Sequence, residues 1–194
     1  TIAGALDGAG AVTVNTGTTT LTGTISSTSI DIQAGGTLSS NGGGLAAAAA
    51  VTNNGALALT GGGDESIANM NGTGTTNLSG GSILTLNTGV SNINGVISGA
   101  GGLTVAGGTT NLGAANTYSG ATTVNSGGTL NVLAAGAIAG ASTVNAGGIM
   151  TNAGTVADVS NAGSFTNSGT AGELVNTGAG FGSNTGTLAG LVHN

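Results

Sequence analysis

One block of sequence occurs twice in this chain. Residues 8–21 read GAGAVTVNTGTTTL, and residues 99–112, GAGGLTVAGGTTNL, align with them without a gap. A shorter segment, residues 34–38, has its counterpart at residues 126–130. Repetition on this scale indicates a stack of similar units, each of which buries its apolar face against the next. The repeat therefore favours a scaffold over an enzyme.

The hydrophobic pattern is that of β-strands. Apolar residues recur at every second position in short runs, which places one set of side chains inside and the other in solvent. Each run is bounded by Gly, Asn or Ser, as is typical of short strands joined by turns. The predicted inward residues are Val12, Val14, Ile30, Ile32, Leu57, Leu59, Leu84, Leu86, Leu103, Val105, Leu130 and Val132.

The turns share the triplet Asn-x-Gly. Both residue types accept a left-handed backbone at low cost, so the triplet predicts a recurrent corner. Hairpins also use Asn-Gly turns, which leaves an antiparallel sandwich open. From residue 144 onward, however, the triplets at Asn145, Asn161 and Asn176 recur at spacings of 16 and 15. Such coils are what a parallel β-solenoid requires, with the asparagines stacked from coil to coil. The triplets begin at Asn15, Asn53, Asn87, Asn125, Asn145, Asn152, Asn161, Asn167, Asn176 and Asn184.

We therefore predict an all-β fold, a parallel β-helix that forms a single elongated domain over residues 1–194. Residues 1–40 and 83–143 hold longer, duplicated coils, residues 144–194 hold short coils, and residues 41–82 are the least regular. With coils of roughly 16–27 residues, the rod has about 8–11 coils and a length of about 40–50 Å. The alanine run from Ala46 to Ala50 is either a short helical insert or a coil wall of small side chains.

The composition excludes several classes of function. The 194 residues include 42 Gly and six acidic residues, and there is no Lys, Arg, Pro or Cys. With a net charge of −6 the chain cannot neutralise phosphates, which excludes a nucleic-acid partner. No apolar run approaches the ~18 residues of a membrane helix, so we expect no membrane insertion by this segment. The lack of Lys and Arg reflects either drift in a repeat or exposure to trypsin-like proteases, and both suit an extracellular protein.

One stretch resembles a known repeat. Residues 116–130 read NTYSGATTVNSGGTL, and residues 99–105, GAGGLTV, match the usual lead-in. This pattern is similar to the autotransporter-associated β-strand repeat of bacterial passenger domains. The resemblance implies a right-handed parallel β-helix that is secreted or displayed on the surface of a Gram-negative bacterium. Such passengers include adhesins and long inert stalks, and the resemblance carries over no catalytic residue.

The few ionisable residues form no obvious site. His193 is the only histidine and lacks partners for zinc, so we expect a frayed terminal residue. Asp64 and Glu65 are adjacent and point to opposite faces of a strand, which disfavours a paired-carboxylate glycosidase site. We expect a solvated loop there, with a weak calcium site as the alternative. Tyr118 is expected to pack at a coil corner.

Two further motifs are weak. Threonines at 18–20, 109–110 and 122–123 could form rows on a flat face, and regular threonine arrays on β-solenoids can bind ice. The preference of threonine for β-strands is enough to explain these residues as well. Residues 178–182, GAGFG, lack the lysine and the strand-to-helix setting of a phosphate loop. We predict no catalytic, cofactor-binding or metal-ligating residue and no cofactor.

The sequence thus predicts an extracellular structural protein, a segment or subunit of a surface fibre, stalk or sheath. Residues 1–6 and 187–192 are apolar and uncharged and carry none of the residues that protect a strand edge. The expected partner of these ends is a second copy stacked head to tail, and the alternative is that they continue into further sequence of a longer passenger. The alternative is an adhesin that binds a sugar or protein through a lateral face. A polysaccharide-active enzyme is a weaker alternative, because it would need acids clustered in one cleft.

Overall fold

The chain folds into a parallel β-solenoid with three faces. The computed structural model describes residues 1–8, 10–190 and 192–193; Ala9 of the duplicated block and Leu191 of the apolar C-terminal segment lie outside them, as does Asn194. Within the described residues all strand pairing is parallel and joins strands of successive coils. The predicted β-helix is therefore confirmed.

Face I contains a four-stranded and a six-stranded sheet, which together give ten coils. The sheets meet at Gly72 and Ile93, where Ser91 Oγ accepts the Met70 N–H at 3.1 Å in place of a ladder carbonyl. The strands of face I are β1 (Val12–Val14), β3 (Ser29–Ile32), β5 (Ala50–Asn53), β8 (Asn69–Asn71), β11 (Val90–Ile93), β14 (Gly108–Leu112), β16 (Gly128–Val132), β19 (Ile149–Asn152), β22 (Ser164–Asn167) and β25 (Phe181–Asn184).

Face II follows face I along the chain in each coil. Its two sheets are joined at Asn116, whose Oδ1 accepts the Ile97 N–H at 2.9 Å. The strands of face II are β2 (Gly17–Leu21), β4 (Gly36–Ser40), β6 (Ala56–Leu59), β9 (Thr75–Leu78), β12 (Ile97–Gly99), β17 (Ala137–Ile138), β20 (Thr155–Val156), β23 (Thr170–Ala171) and β26 (Thr187–Leu188).

Face III completes each coil. In the first three coils it consists of single bridges that join Leu6, Ile25 and Leu45, and from the fourth strand layer it is an eight-stranded sheet. A short 3₁₀ turn, Ser79–Gly81, precedes the second of these strands. The strands of face III are β7 (Glu65–Ile67), β10 (Ile83–Leu86), β13 (Gly102–Val105), β15 (Thr122–Val124), β18 (Ser142–Val144), β21 (Val159–Asn161), β24 (Leu174–Asn176) and β27 (Val192–His193).

One apolar core runs the length of the solenoid. Of the twelve predicted inward residues, all but Val12 are buried, whereas the intervening Thr13, Thr85 and Thr104 are exposed or half-buried. Val12 is half-buried and packs against the same cluster, because it belongs to the first coil and no coil covers it from below. The predicted inward pattern is therefore confirmed, with Val12 as the one departure.

The alanine run forms a coil wall and not a helix. Ala49 is fully buried, Ala50 begins β5, and Ala47 and Ala48 form an exposed turn between them and Leu45. The coil here is long: Val51 follows its register partner Ile30 by 21 positions. Later coils are shorter, and Phe165 follows its register partner Met150 by 15 positions.

The left-handed backbone at the corners belongs to glycine. Among the described residues, every positive φ is that of a glycine, so the asparagines of the triplets do not adopt it. Gly127 (φ 82°) and Gly147 (φ 80°) supply that conformation instead. The asparagines act through their side chains, which hydrogen-bond between coils.

The duplicated block occupies different faces in its two copies. Val12 lies in β1 on face I, but its counterpart Leu103, 91 residues later, lies in β13 on face III. Likewise Thr18 lies on face II and its counterpart Thr109 on face I. The second copy is therefore four coils and two faces further along, and the three faces accept the same local sequence.

Candidate functional site

Glu65 is buried, which overturns the prediction of a solvated loop. Its side chain, 1% exposed, occupies a core position in β7 that Leu84 occupies in the next coil. Oε2 accepts the Ser40 hydroxyl at 2.8 Å, and Oε1 accepts the Leu45 N–H at 3.0 Å. Burial raises the pKa of the Glu65 carboxyl, while the bonds from Leu45 and Ser40 act in the opposite direction. The carboxyl thus replaces the strand ladder that face III lacks at Leu45.

Asp64 points outward and serves the next coil. Its Oδ1 accepts the Ile83 N–H at 2.8 Å. Asp158 does the same at an equivalent corner, where its Oδ1 accepts the Glu173 N–H at 2.8 Å. Both aspartates precede a face III strand, so each satisfies a backbone donor at a corner. Asp64 and Glu65 therefore bind backbone groups on opposite sides of the strand and do not converge on a metal position.

His193 is part of the sheet, contrary to the expectation of a frayed residue. It lies in β27 opposite Val175, and its Nε2 is 3.0 Å from Glu173 Oε1. Both side chains are about half exposed (56% and 41%), so solvent screens the contact. The pair contributes little to stability, and among the described residues it belongs to no group of three or more side chains that could hold a metal ion.

Tyr118 is fully buried, as predicted. Its hydroxyl is 2.6 Å from Thr122 Oγ1, and burial raises the pKa of the phenol to about 12. Asn116, two residues earlier, is also buried and donates from Nδ2 to the carbonyls of Ala114 and Ala137. Asn116 and Tyr118 therefore have a structural role: they close a coil where face II lacks a strand.

The corner asparagines form ladders, as predicted. Asn152 Nδ2 donates to Asn167 Oδ1 at 2.7 Å, and Asn167 Nδ2 donates to Asn184 Oδ1 at the same distance. Asn152 and Asn167 are fully buried at the corner between faces I and II. A second pair, Asn145 to Asn125, is 2.8 Å apart and exposed.

The threonine pairs do not form double rows. Strand alternation turns Thr110 and Thr122 into the core, where they are 1% and 0% exposed, and leaves only Thr109 and Thr123 outside. The residues in register on face III instead form a single rank of hydroxyls over six coils. This hydroxyl rank is Ser66, Thr85, Thr104, Thr123, Thr143 and Ser160.

Face I carries two outward ranks that the sequence analysis did not identify. Each member immediately precedes or separates two inward residues of its strand; that spacing indicates that each residue points outward, but not which residues of other coils it aligns with. The polar rank is Thr13, Asp31, Thr52, Asn71, Asn92, Asn111, Asn131, Thr151, Thr166 and Ser183. The mixed rank is Ser29, Ala50, Asn69, Val90, Thr109, Thr129, Ile149, Ser164 and Phe181.

Amide hydrogen bonds link the middle of the polar rank. Asn131 Nδ2 donates to Asn111 Oδ1 and Asn111 Nδ2 to Asn92 Oδ1, both at 2.8 Å, and Asn92 Nδ2 donates to Asn71 Oδ1 at 3.2 Å. Asn92, Asn111 and Asn131 each donate one of these bonds from Nδ2 and retain a second N–H. The rank therefore presents hydrogen-bonding groups to the outside at the ~4.8 Å repeat of the strands.

The surface of the first coil is concave and largely apolar. A cavity of about 420 Å³ opens there, and its lining includes Ile2, Leu6, Val12, Val14 and Ser27. At the opposite end Val192 is about half exposed and Leu188 is half-buried. Both end surfaces thus carry apolar side chains next to strand edges.

Nothing in the described part of the chain gathers metal ligands, and no helix there is long and apolar enough to cross a membrane. The candidate functional features are therefore surfaces: face I with its polar and mixed ranks, the hydroxyl rank of face III, and the two end surfaces. No known protein family, curated protein or solved structure matches this chain.

Proposed function

We propose that this chain is an extracellular structural protein, a β-helical segment or subunit of a surface fibre, stalk or sheath. The observation that carries the proposal is the stack of ten coils on face I around one apolar core. Backbone hydrogen bonds along the axis make such a rod stiff, and ten coils at ~4.8 Å span about 48 Å.

The resemblance of residues 116–130 to the passenger repeat supports the extracellular setting. So does the lack of Lys and Arg, because trypsin-like proteases then have no cleavage site. On this proposal the function is mechanical: the rod holds two ends apart, and the side chains of its core and corners keep the coils in register.

Assembly end to end is the second part of the proposal. The cavity of the first coil leaves Leu6 exposed beside open strand edges, and unpaired edges of this kind invite another strand layer. The occupant that we propose is the last coil of a second copy. Such a head-to-tail contact is heterologous, so it produces filaments and not closed dimers.

Sedimentation velocity over a range of concentrations tests this assembly. We expect species that grow without a fixed upper size and that electron microscopy shows as rods of increasing length. Leu6→Asp should suppress them, since it places a carboxylate in the contact. Leu133→Asp is the matched control, because Leu133 is equally exposed (42% for each) at a mid-rod corner. Equal behaviour of the two variants would reject end-to-end assembly.

A further inference from the structure

Face I is the neutral side of an acidic rod. Among its two ranks only Asp31, in the second coil, carries a charge. The other acids lie elsewhere: Asp7 follows the first bridge of face III, Asp64, Asp158 and Glu173 lie at the corner before face III, and Glu65 is buried. From the third coil to the tenth, the polar and mixed ranks are uncharged.

This distribution bears on how copies of the chain can meet. Because there is no Lys or Arg, His193 is the only basic side chain with which a second copy could offset a buried carboxylate. A contact between copies therefore costs least where both surfaces are neutral. Face I from coil three to coil ten meets that condition.

The mixed rank also carries exposed apolar side chains. Val90, Ile149 and Phe181 are 53%, 46% and 64% exposed, and all three stand in this one rank. Thr109 and Thr129 separate Val90 from Ile149, so these apolar and hydroxyl residues are arranged symmetrically about a point between coils six and seven.

We propose that two copies of the chain associate side by side, antiparallel, with face I against face I and a two-fold axis between coils six and seven. Such an axis, directed along the strands, sets each rank against the same rank of the partner copy. Val90 then meets Ile149 of the partner copy, and Thr109 meets Thr129 of the partner copy. Apolar side chains thus contact apolar side chains, and hydroxyl groups lie opposite hydroxyl groups.

The agreement extends to the ends of the overlap. Phe181, the largest exposed side chain of the rank, meets Ala50 of the partner copy, the smallest. In the polar rank Asn111 meets Asn131 of the partner copy, and each retains a free N–H. Asp31 falls outside the overlap, because coil two would face an eleventh coil.

The size of the contact predicts a weak dimer. Eight overlapping coils at ~4.8 Å extend about 38 Å, and two ranks are roughly 13 Å wide, which gives about 500 Å² per chain. The total is near the ~1,000 Å² that separates specific interfaces from incidental ones. We therefore expect dissociation in the micromolar range, typical of a transient or avidity-driven contact.

Disulfide trapping tests the register directly, since the native chain has no cysteine. Val90→Cys and Ile149→Cys proteins, mixed under mild oxidation, should give a covalent dimer, whereas each alone should not. Within one chain the two positions lie three coils apart, too far for a disulfide. Leu133→Cys mixed with Val90→Cys is the control for random collision. Self-linking of Val90→Cys, or equal yield in the control, would overturn the proposal.

Sedimentation equilibrium tests the energetics. Ile149→Asp should weaken dimerisation at least tenfold, because the two-fold axis buries the carboxylate twice, while Leu133→Asp should leave it unchanged. The lateral dimer stops at two copies and is insensitive to Leu6→Asp, which separates it from end-to-end growth. A chain that remains monomeric at the highest soluble concentration would reject the lateral dimer, whatever the outcome for filaments.

Discussion

The buried asparagine ladder gives the sharpest test of how the coils are held together. Asn167 Nδ2 donates to Asn184 Oδ1 at 2.7 Å, to the Thr187 carbonyl at 3.1 Å and to the Gly169 carbonyl at 3.3 Å. Asn167→Asp keeps the shape of the side chain but puts an acceptor oxygen where this donor stood. A buried carboxylate would then face three acceptors with no donor between them.

The size of the effect follows from these contacts. Two amide hydrogens of a fully buried side chain are lost, and the introduced carboxylate faces the oxygens they served, at about 1–3 kcal/mol for each lost hydrogen bond. We therefore expect Asn167→Asp to reduce the free energy of unfolding by about 3–5 kcal/mol at neutral pH. At acidic pH the introduced carboxyl regains one O–H donor, and part of the loss should be restored.

Urea unfolding followed by circular dichroism measures this difference. Asn145→Asp is the matched control, because Asn145 also donates to a corner asparagine, Asn125, at 2.8 Å but is exposed. Water replaces the hydrogen bond that Asn145→Asp loses, so this variant should reduce the free energy of unfolding by no more than about 1 kcal/mol. Hydrogen exchange should locate the Asn167→Asp defect in the last coils, since each coil contacts only its neighbours. Equal losses for the two variants would refute the role assigned to the buried ladder.

Three further predictions concern the core. Folding raises the pKa of the Glu65 carboxyl above its ordinary value of 4.5, so the protonated form is favoured in the folded state. The free energy of unfolding should therefore fall as the pH rises from 4.5 through the raised pKa. Glu65→Gln should remove this slope from urea midpoints compared across pH, and an unchanged slope would contradict the assignment. Tyr118, the only tyrosine, should ionise near pH 12 in an absorbance titration of the folded protein, while Tyr118→Phe should cost about 1–2 kcal/mol by leaving buried Thr122 unpaired. Phe165→Ala, at a fully buried position, should cost about 3–5 kcal/mol in the same unfolding assay.

Local sequence pattern predicts most of this fold. Alternation at Leu57 and Leu59, or at Leu103 and Val105, fixes which side chains point inward, because a one-residue slip would expose both. The repeated spacing of Asn145 and Asn161 indicates parallel coils, since hairpins need no such period.

What the pattern misses depends on contacts between coils. Glu65 looks like a loop acid, yet its partners Ser40 and Leu45 lie 25 and 20 residues earlier, on the preceding coil. The two ranks of face I are also invisible in any one strand, because they exist only when strands are set in register. Coil lengths vary from 15 to 21 residues on this face, so the register cannot be read from a fixed period.

The shift of the duplicated block between faces changes the side of the rod on which the repeated motif is exposed. Thr18 and Thr20 point outward on face II, whereas their counterparts Thr109 and Asn111 point outward on face I. A duplication of this length does not extend one outward stripe of residues; it rotates the repeated motif about the long axis of the rod. A rod lengthened by further copies would return the motif to every azimuth in turn, and a binder of that motif would decorate the rod helically.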